Sequence, residues 1–245
     1  MTSLDYIAIA AVLIIGVPHG GLDGAVARRV GWTPNLVGWL TFHLAYIAIA
    51  AIVTAVWWWF PTVSLGLFLV ISALHFGVSD IRHIMQIGKN HWLPAMAHGG
   101  LVAIAIPAFH TDAVTPIFSI LVGDAGAQSL ITIINYAMKA YIAIVITYLI
   151  YSYRVSKWRV PAANLVVLLL IAYWVAPLVS FAVYFCFWHS RTHTLRIWRS
   201  IDAIDRRRCF LEASLYSVLA WLTAAICFWY FKMTPDTALI QLMFI

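Results

Sequence analysis

Long apolar runs recur from one end of this 245-residue chain to the other, separated by short polar clusters, and that pattern limits the fold more than any motif does. A helix needs about 20 apolar residues to cross a hydrocarbon core of ~30 Å. Inside that core every backbone donor and acceptor must be satisfied within the protein, which leaves helices or closed barrels. No alternating apolar and polar pattern suggests barrel strands. With 64% of residues hydrophobic and 10% charged, a soluble domain of this length is excluded. The predicted fold class is all-α, a polytopic transmembrane helix bundle. Residues 1–245 are expected to form a single integral membrane domain, with no linker, repeat or low-complexity segment.

The apolar runs predict spans from about Leu4 to Ala27, Asn35 to Phe60, Val63 to Asp80, Trp92 to Phe109, Gln128 to Tyr153 and Phe210 to Phe231. The run from Val160 to Trp188 is too long for one ordinary span, and Pro177 removes a backbone donor near its middle, so two short spans are expected there. The total is about 7–8 spans. Val114 to Val122, between Asp112 and Asp124, is too short to cross and reads as an interfacial or re-entrant piece. The first segment lacks a basic n-region and a small-residue cleavage site, which predicts a retained helix. A fresh apolar run starts near Ala238 and is too short to cross by Ile245, so the chain is expected to be truncated at its C-terminus.

The net charge of +6 resides in loops: Arg28 and Arg29, Arg82 and Lys89, Arg154 to Arg159, and Arg191 to Arg208. Placing all four on the cytoplasmic side agrees with the two-span reading of Val160 to Trp188 and predicts a multi-pass protein of the cell (inner) membrane. Lipid headgroups account for this charge, and nucleic acid is not an expected partner. Cys186, Cys209 and Cys227 have neither disulfide nor metal-site spacing and read as packing residues. Trp57, Trp58 and Trp59 read as an anchor at the outer interface.

Nine histidines stand out in so sparsely charged a chain, because intramembrane ionisable groups are costly and mark functional interiors. At ~1.5 Å per residue, His19 lies roughly 13 Å from Arg28 and His75 roughly 10 Å from Arg82. His189 and His193 are four apart, share one helical face and lie beside Arg191 and Arg196. Four imidazoles can therefore meet near the cytoplasmic face. His43 and His98 fall at a comparable depth and stay open as candidates, whereas His83, His91 and His110 lie at loop edges and read as interfacial. An all-imidazole set without thiolates suits a redox-active first-row metal, iron first among them. Gly20 and Gly21 leave room for a close neighbour beside His19. Asp23 and Asp80 are candidates to orient imidazoles from behind, since ligating histidines donate their second nitrogen to a carboxylate or carbonyl.

Several functions accommodate such a site. A di-iron membrane hydroxylase would recruit His43 and His98 as well. A non-catalytic binding factor, or a haem-carrying subunit, needs fewer ligands, but an i, i+4 pair on one helix cannot clamp both faces of a haem. Transport finds no support in an inverted repeat of broken helices.

At Pro18-His19-Gly20-Gly21-Leu22-Asp23, His75-Phe76-Gly77-Val78-Ser79-Asp80 and Trp188-His189-Ser190-Arg191-Thr192-His193, the chain resembles the Brp/Blh family of β-carotene 15,15′-dioxygenases over nearly its whole length. The resemblance implies oxidative cleavage of the central double bond of all-trans-β-carotene with O2, giving two all-trans-retinal. It implies one Fe(2+) on His19, His75, His189 and His193, and a functional link to a microbial rhodopsin through retinal. Family members usually continue into a further span bearing a Pro-His pair, which this chain does not reach by Ile245. Such a substrate asks for apolar and aromatic walls, for which Phe76, Tyr184, Phe185 and Trp188 lie nearest the histidines in sequence.

Overall fold

The computed structural model describes residues 1–29, 31–32, 35–84, 91–201 and 203–244, without the side chains of Val17, His19, Ala25, Arg29, His83 and residues 203–205 and 242–244. Lys89 and Ile245 lie outside the described residues. Among those described there is no β-strand. The helices are α1 (Ser3–Ala11), α2 (Val17–Gly20), α3 (Asp23–Arg29), α4 (Leu36–Trp59), α5 (Pro61–Ile81), α6 (Trp92–Gly100), α7 (Ile106–Phe109), α8 (Thr111–Arg154), α9 (Ser156–Trp174), α10 (Pro177–Ala182), α11 (Arg191–Ser200), α12 (Ala203–Phe231) and α13 (Pro235–Phe244). Among the described residues three π-helical segments interrupt them: Val12–Gly16, Leu101–Ala105 and Val183–Ser190. Among the described residues five helices are long and apolar enough to cross a membrane: Leu36–Trp59, Pro61–Ile81, Trp92–Phe109, Thr111–Arg154 and Arg206–Phe231. Ser3–Gly16 is a shorter apolar helix. The protein is an all-α membrane bundle.

Breaks fall where the backbone chemistry requires them. Gly123 takes φ 75° and ψ 164° inside α8, so residues 111–122 form a short helix of their own ahead of the long one. That short helix is the piece expected to be re-entrant. Val175 and Ala176 are extended, and Pro177 starts the next helix at a position where no backbone N–H is needed. The run from Val160 to Trp188 is thus two helices, as the proline predicts. The first segment departs from expectation: the run from Leu4 to Ala27 is not one helix. It passes through a π segment and breaks after Gly20, and Asp23 opens the separate helix α3. The Gly20-Gly21 pair supplies the break. A Cβ on Gly21 would meet the Ala213 backbone at 2.8 Å, whereas one on Gly20 would meet open space.

Helix pairs in a bilayer gain little from hydrophobicity and depend on close packing, which small residues permit. Here α5 and α6 cross with glycine on both sides. A Cβ on Gly77 would strike the Ala95 carbonyl oxygen, and one on Gly99 would strike that of Ala73. Tyr141 of α8 lies over Gly100 and donates its hydroxyl hydrogen to the Ala97 carbonyl at 2.7 Å. This crossing fixes the C-terminal half of α5, which carries His75 and Asp80. Against α5 lies the π segment Val183–Ser190, which continues α10 and leads into α11, while α1 packs along α10.

Candidate metal centre

Three of the four favoured histidines converge. His75 comes from α5, His189 from the π segment Val183–Ser190, and His193 from the first turn of α11. Ring centroids are 5.2 Å apart for His75 and His189, 6.2 Å for His189 and His193, and 6.5 Å for His75 and His193. Imidazoles bonded at about 2.1 Å to one ion have centroids roughly 5 Å apart. The first pair stands at that separation and His193 stands about 1 Å farther out. Among the described residues no set of three donors is gathered tightly enough to enclose an ion. The His19 side chain lies outside the described residues. Its backbone belongs to α2, which continues the π segment Val12–Gly16, and that segment packs against the one bearing His189.

Behind His189 lies a buried polar triad. The His189 ring sets Nδ1 at 3.0 Å from Asp80 Oδ1, with both side chains almost fully enclosed. Tyr184 donates its hydroxyl hydrogen to the other oxygen, Asp80 Oδ2, at 2.7 Å. With a proton on Nδ1 engaged by the carboxylate, Nε2 carries the lone pair that a metal requires. The π segment makes this arrangement possible. Its i→i+5 bonding widens the turn, so Tyr184 and His189, five residues apart, share a face with ring centroids 6.1 Å apart. Sequence reasoning treated Tyr184 as one aromatic wall residue among several. The signal for its hydroxyl is a five-residue spacing, which α-helical periodicity does not register.

His193 lies beyond the apolar part of this rod. Burial, then the Arg196 guanidinium, pushes its pKa down to about 4, so the ring is neutral near pH 7 with a lone pair free of protons. Arg196 also reaches back to the Ser79 carbonyl and hydroxyl oxygens, both at 3.4 Å, and links α11 to the end of α5.

The remaining candidates fall elsewhere. Asp23 accepts a 3.0 Å hydrogen bond from Tyr46 and lies within electrostatic reach of His75. Because the helix breaks after Gly20, it is not one regular helical turn from His19. His43 has both ring nitrogens engaged, Nδ1 with the Trp39 carbonyl oxygen and Nε2 with the Tyr216 hydroxyl, each at 2.7 Å. His98 is buried beside Tyr148 with ring centroids 5.8 Å apart. His91 is buried at the start of α6, and His110 places Nε2 2.7 Å from the Ala172 carbonyl oxygen. The side chain of His83 lies outside the described residues.

Aromatic rings close the apolar side of the centre. Phe76 meets His189 edge to face at 4.5 Å. Phe181, Phe185 and His189 stack in succession, with centroid separations of 5.3 and 5.9 Å and planes 15° apart. These rings form an apolar wall beside the buried His189, whereas His193 is half-buried and His75 is exposed.

Comparison with known proteins bears on this arrangement. The sequence profile of a family described as Beta-carotene 15,15'-dioxygenase matches residues 10–245. A protein named beta-carotene 15,15'-dioxygenase from uncultured marine bacterium 66A03 is 32% identical over 252 residues, spanning 99% of this chain and 88% of the relative. A probable beta-carotene 15,15'-dioxygenase Blh from Halobacterium salinarum (strain ATCC 700922 / JCM 11081 / NRC-1) is 25% identical over 208 residues, spanning 77% of this chain and 60% of that protein. No solved structure is significantly similar.

Proposed function

This chain belongs to the beta-carotene 15,15'-dioxygenase family, and from that membership we propose that it cleaves the central double bond of all-trans-β-carotene with O2 to give two all-trans-retinal. The observation that carries the reading is the proximity of His75, His189 and His193 beside an aromatic wall, with His189 oriented by Asp80. In the reaction the central carbon–carbon double bond breaks and each carbon takes one oxygen atom of O2, so the two aldehydes account for every atom.

The donor set suits iron. It is all-imidazole, the nearest cysteine, Cys186, packs instead against α1 and α10, and the Asp80–His189 bond selects the ligating tautomer. His19, His75, His189 and His193 are the residues proposed to hold it. Iron(II), when bound, supplies the redox chemistry that lets O2 react with a closed-shell polyene. The protein's own part is to hold and to exclude. Asp80 and Tyr184 fix the His189 ring. Phe76 and Phe185 present apolar faces to the substrate and keep water from the reacting carbons. The centre is proposed to lie near the cytoplasmic face of the cell membrane, where a lipid-soluble aldehyde can pass to a microbial rhodopsin.

The test is extraction and chromatography of pigments from a β-carotene-accumulating bacterial host expressing the chain. Retinal should appear as β-carotene disappears. Longer apocarotenals in place of retinal would contradict central cleavage, and intact carotene beside iron-loaded protein would turn the reading toward a non-catalytic carotenoid-binding factor. A di-iron hydroxylase finds less support, because both nitrogens of His43 already have partners.

A further inference from the structure

An apolar cleft leads to the aromatic wall of the histidine cluster. Phe68, Ser72 and Phe76 of α5 line one side, Leu178 and Phe181 of α10 line the other, and Phe118 of the short helix 111–122 belongs to its wall. The cleft is narrow, with a volume of about 90 Å³, and it is open at its mouth.

Two helices independently give the direction of the cleft. Along α5 it runs from Phe68 to Phe76, a rise of about 12 Å for eight residues. Along α10 it runs from Leu178 to Phe181, and the rod then continues to Phe185 and His189. Both helices therefore progress from the cleft toward the imidazoles. At the near end Phe76 touches His189, while Phe181 reaches it through the stacked ring of Phe185. At the far end Phe118 packs in a cluster with Leu65 and Phe68, and Leu178 in another with Ile9 and Val12. The far walls are thus buried core. A second apolar hollow, bounded by Leu74, Val78, Trp92 and Met96, differs in both respects. Those residues are exposed, and its lining contains none of the rings that contact His189.

We infer that this cleft seats one arm of the carotenoid, and that its depth from Phe118 and Leu178 to Phe76 determines which double bond reaches the histidines. The inference rests on the carotenoid-cleaving reading above. A half-carotenoid is a stiff apolar rod capped by a ring, and a narrow apolar slot flanked by about 12 Å of α5, with one serine hydroxyl, suits that shape and chemistry. Ring–polyene stacking on Phe181 and Phe185 continues the ladder that ends at His189. A ruler of this kind holds the central bond in place without any polar group to recognise.

The experiment uses the full-length protein in detergent and compares wild type with Leu178→Trp, which fills the far end, its milder counterpart Leu178→Phe, and Phe118→Ala, which deepens it. Two readouts are taken: retention of β-carotene absorbance on the purified protein without O2, and the products formed once O2 is admitted. Leu178→Trp should lower carotene retention and kcat/KM at least tenfold with iron content unchanged, and Leu178→Phe should do so to a smaller degree. Phe118→Ala should let the arm slide deeper and yield unequal apocarotenals beside retinal. Wild-type retention and retinal as the sole product in folded Leu178→Phe and Phe118→Ala would overturn the inference and leave the cleft to a lipid acyl chain. If wild type retains carotene that the Leu178 variants lose, but cleaves none, the cleft stands and the catalytic reading fails.

Discussion

Helix α4 and the composite helix Trp92–Phe109 are both apolar over a full membrane span, yet across their 18-residue apolar stretches 6% of the first and 61% of the second lies buried inside the protein. Alanine content does not separate them, since α4 carries Ala45, Ala48, Ala50, Ala51 and Ala55. Register does. Gly77 and Gly99 meet the backbone of the opposing helix from both sides, so α5 and α6 approach until their main chains touch, and the Tyr141 ring fills the space over Gly100. On α4 no such reciprocal placement exists among the described residues, and between Leu44 and Trp58 its long side chains are exposed except Trp57, which packs against the core. Hydropathy places a helix in the bilayer, while glycine register places it in the core.

The strongest way to break this contrast is to place the same valine side chain on each helix. Gly99→Val should drive a side chain into the Ala73 carbonyl and abolish monodisperse folded protein, because the clash is with backbone that cannot rotate away. Ala51→Val on α4 should leave yield and elution profile unchanged, shifting stability by no more than about 0.5 kcal/mol. Equal behaviour of the two variants on size exclusion would show that the crossing does not set the core.

Histidines sharpen the same contrast, because each region carries one at similar depth. His19→Ala, His75→Ala, His189→Ala and His193→Ala should each remove iron retention and retinal formation, whereas His43→Ala on α4 should retain iron and activity within about twofold, given its engagement with Trp39 and Tyr216. Metal analysis of the purified variants decides this, and iron lost with His43 would restore a larger ligand set. Effects smaller than the loss of a ligand belong to the buried triad. Asp80→Asn should weaken iron binding by roughly 10–100-fold, as the loss of an outer carboxylate partner typically does. Tyr184→Phe removes one neutral donor from that carboxylate and should cost about 1 kcal/mol, near a fivefold change in affinity. A Tyr184→Phe effect as large as that of Asp80→Asn would mean that the hydroxyl does more than hold Asp80.

Much of this was legible before any coordinates. The need to satisfy every backbone group in lipid makes long apolar runs into helices, Pro177 ends one and begins another, and the run from Val114 to Val122 cannot cross. What the residues alone did not separate was His43 from His75. Both lie at comparable depth, and depth is a one-dimensional coordinate, whereas ligation depends on which way a side chain points around the helix. The break after Gly20 escaped the reading because a glycine pair tolerates both a continuous helix and a turn. The π segments escaped it because one extra residue per turn leaves no mark on hydropathy, and Tyr184 was hidden with them.

By itself the sequence determined the environment: an all-helical membrane bundle, its main interruptions, and a set of imidazoles without thiolates, since each follows from the solvation cost of one residue type in lipid. Only the tertiary structure decided which imidazoles converge, that Asp80 and Tyr184 hold His189, and that a buried apolar cleft leads to it. Those depend on pairs of residues about 100 positions apart, brought together by a helix crossing that local propensity does not encode.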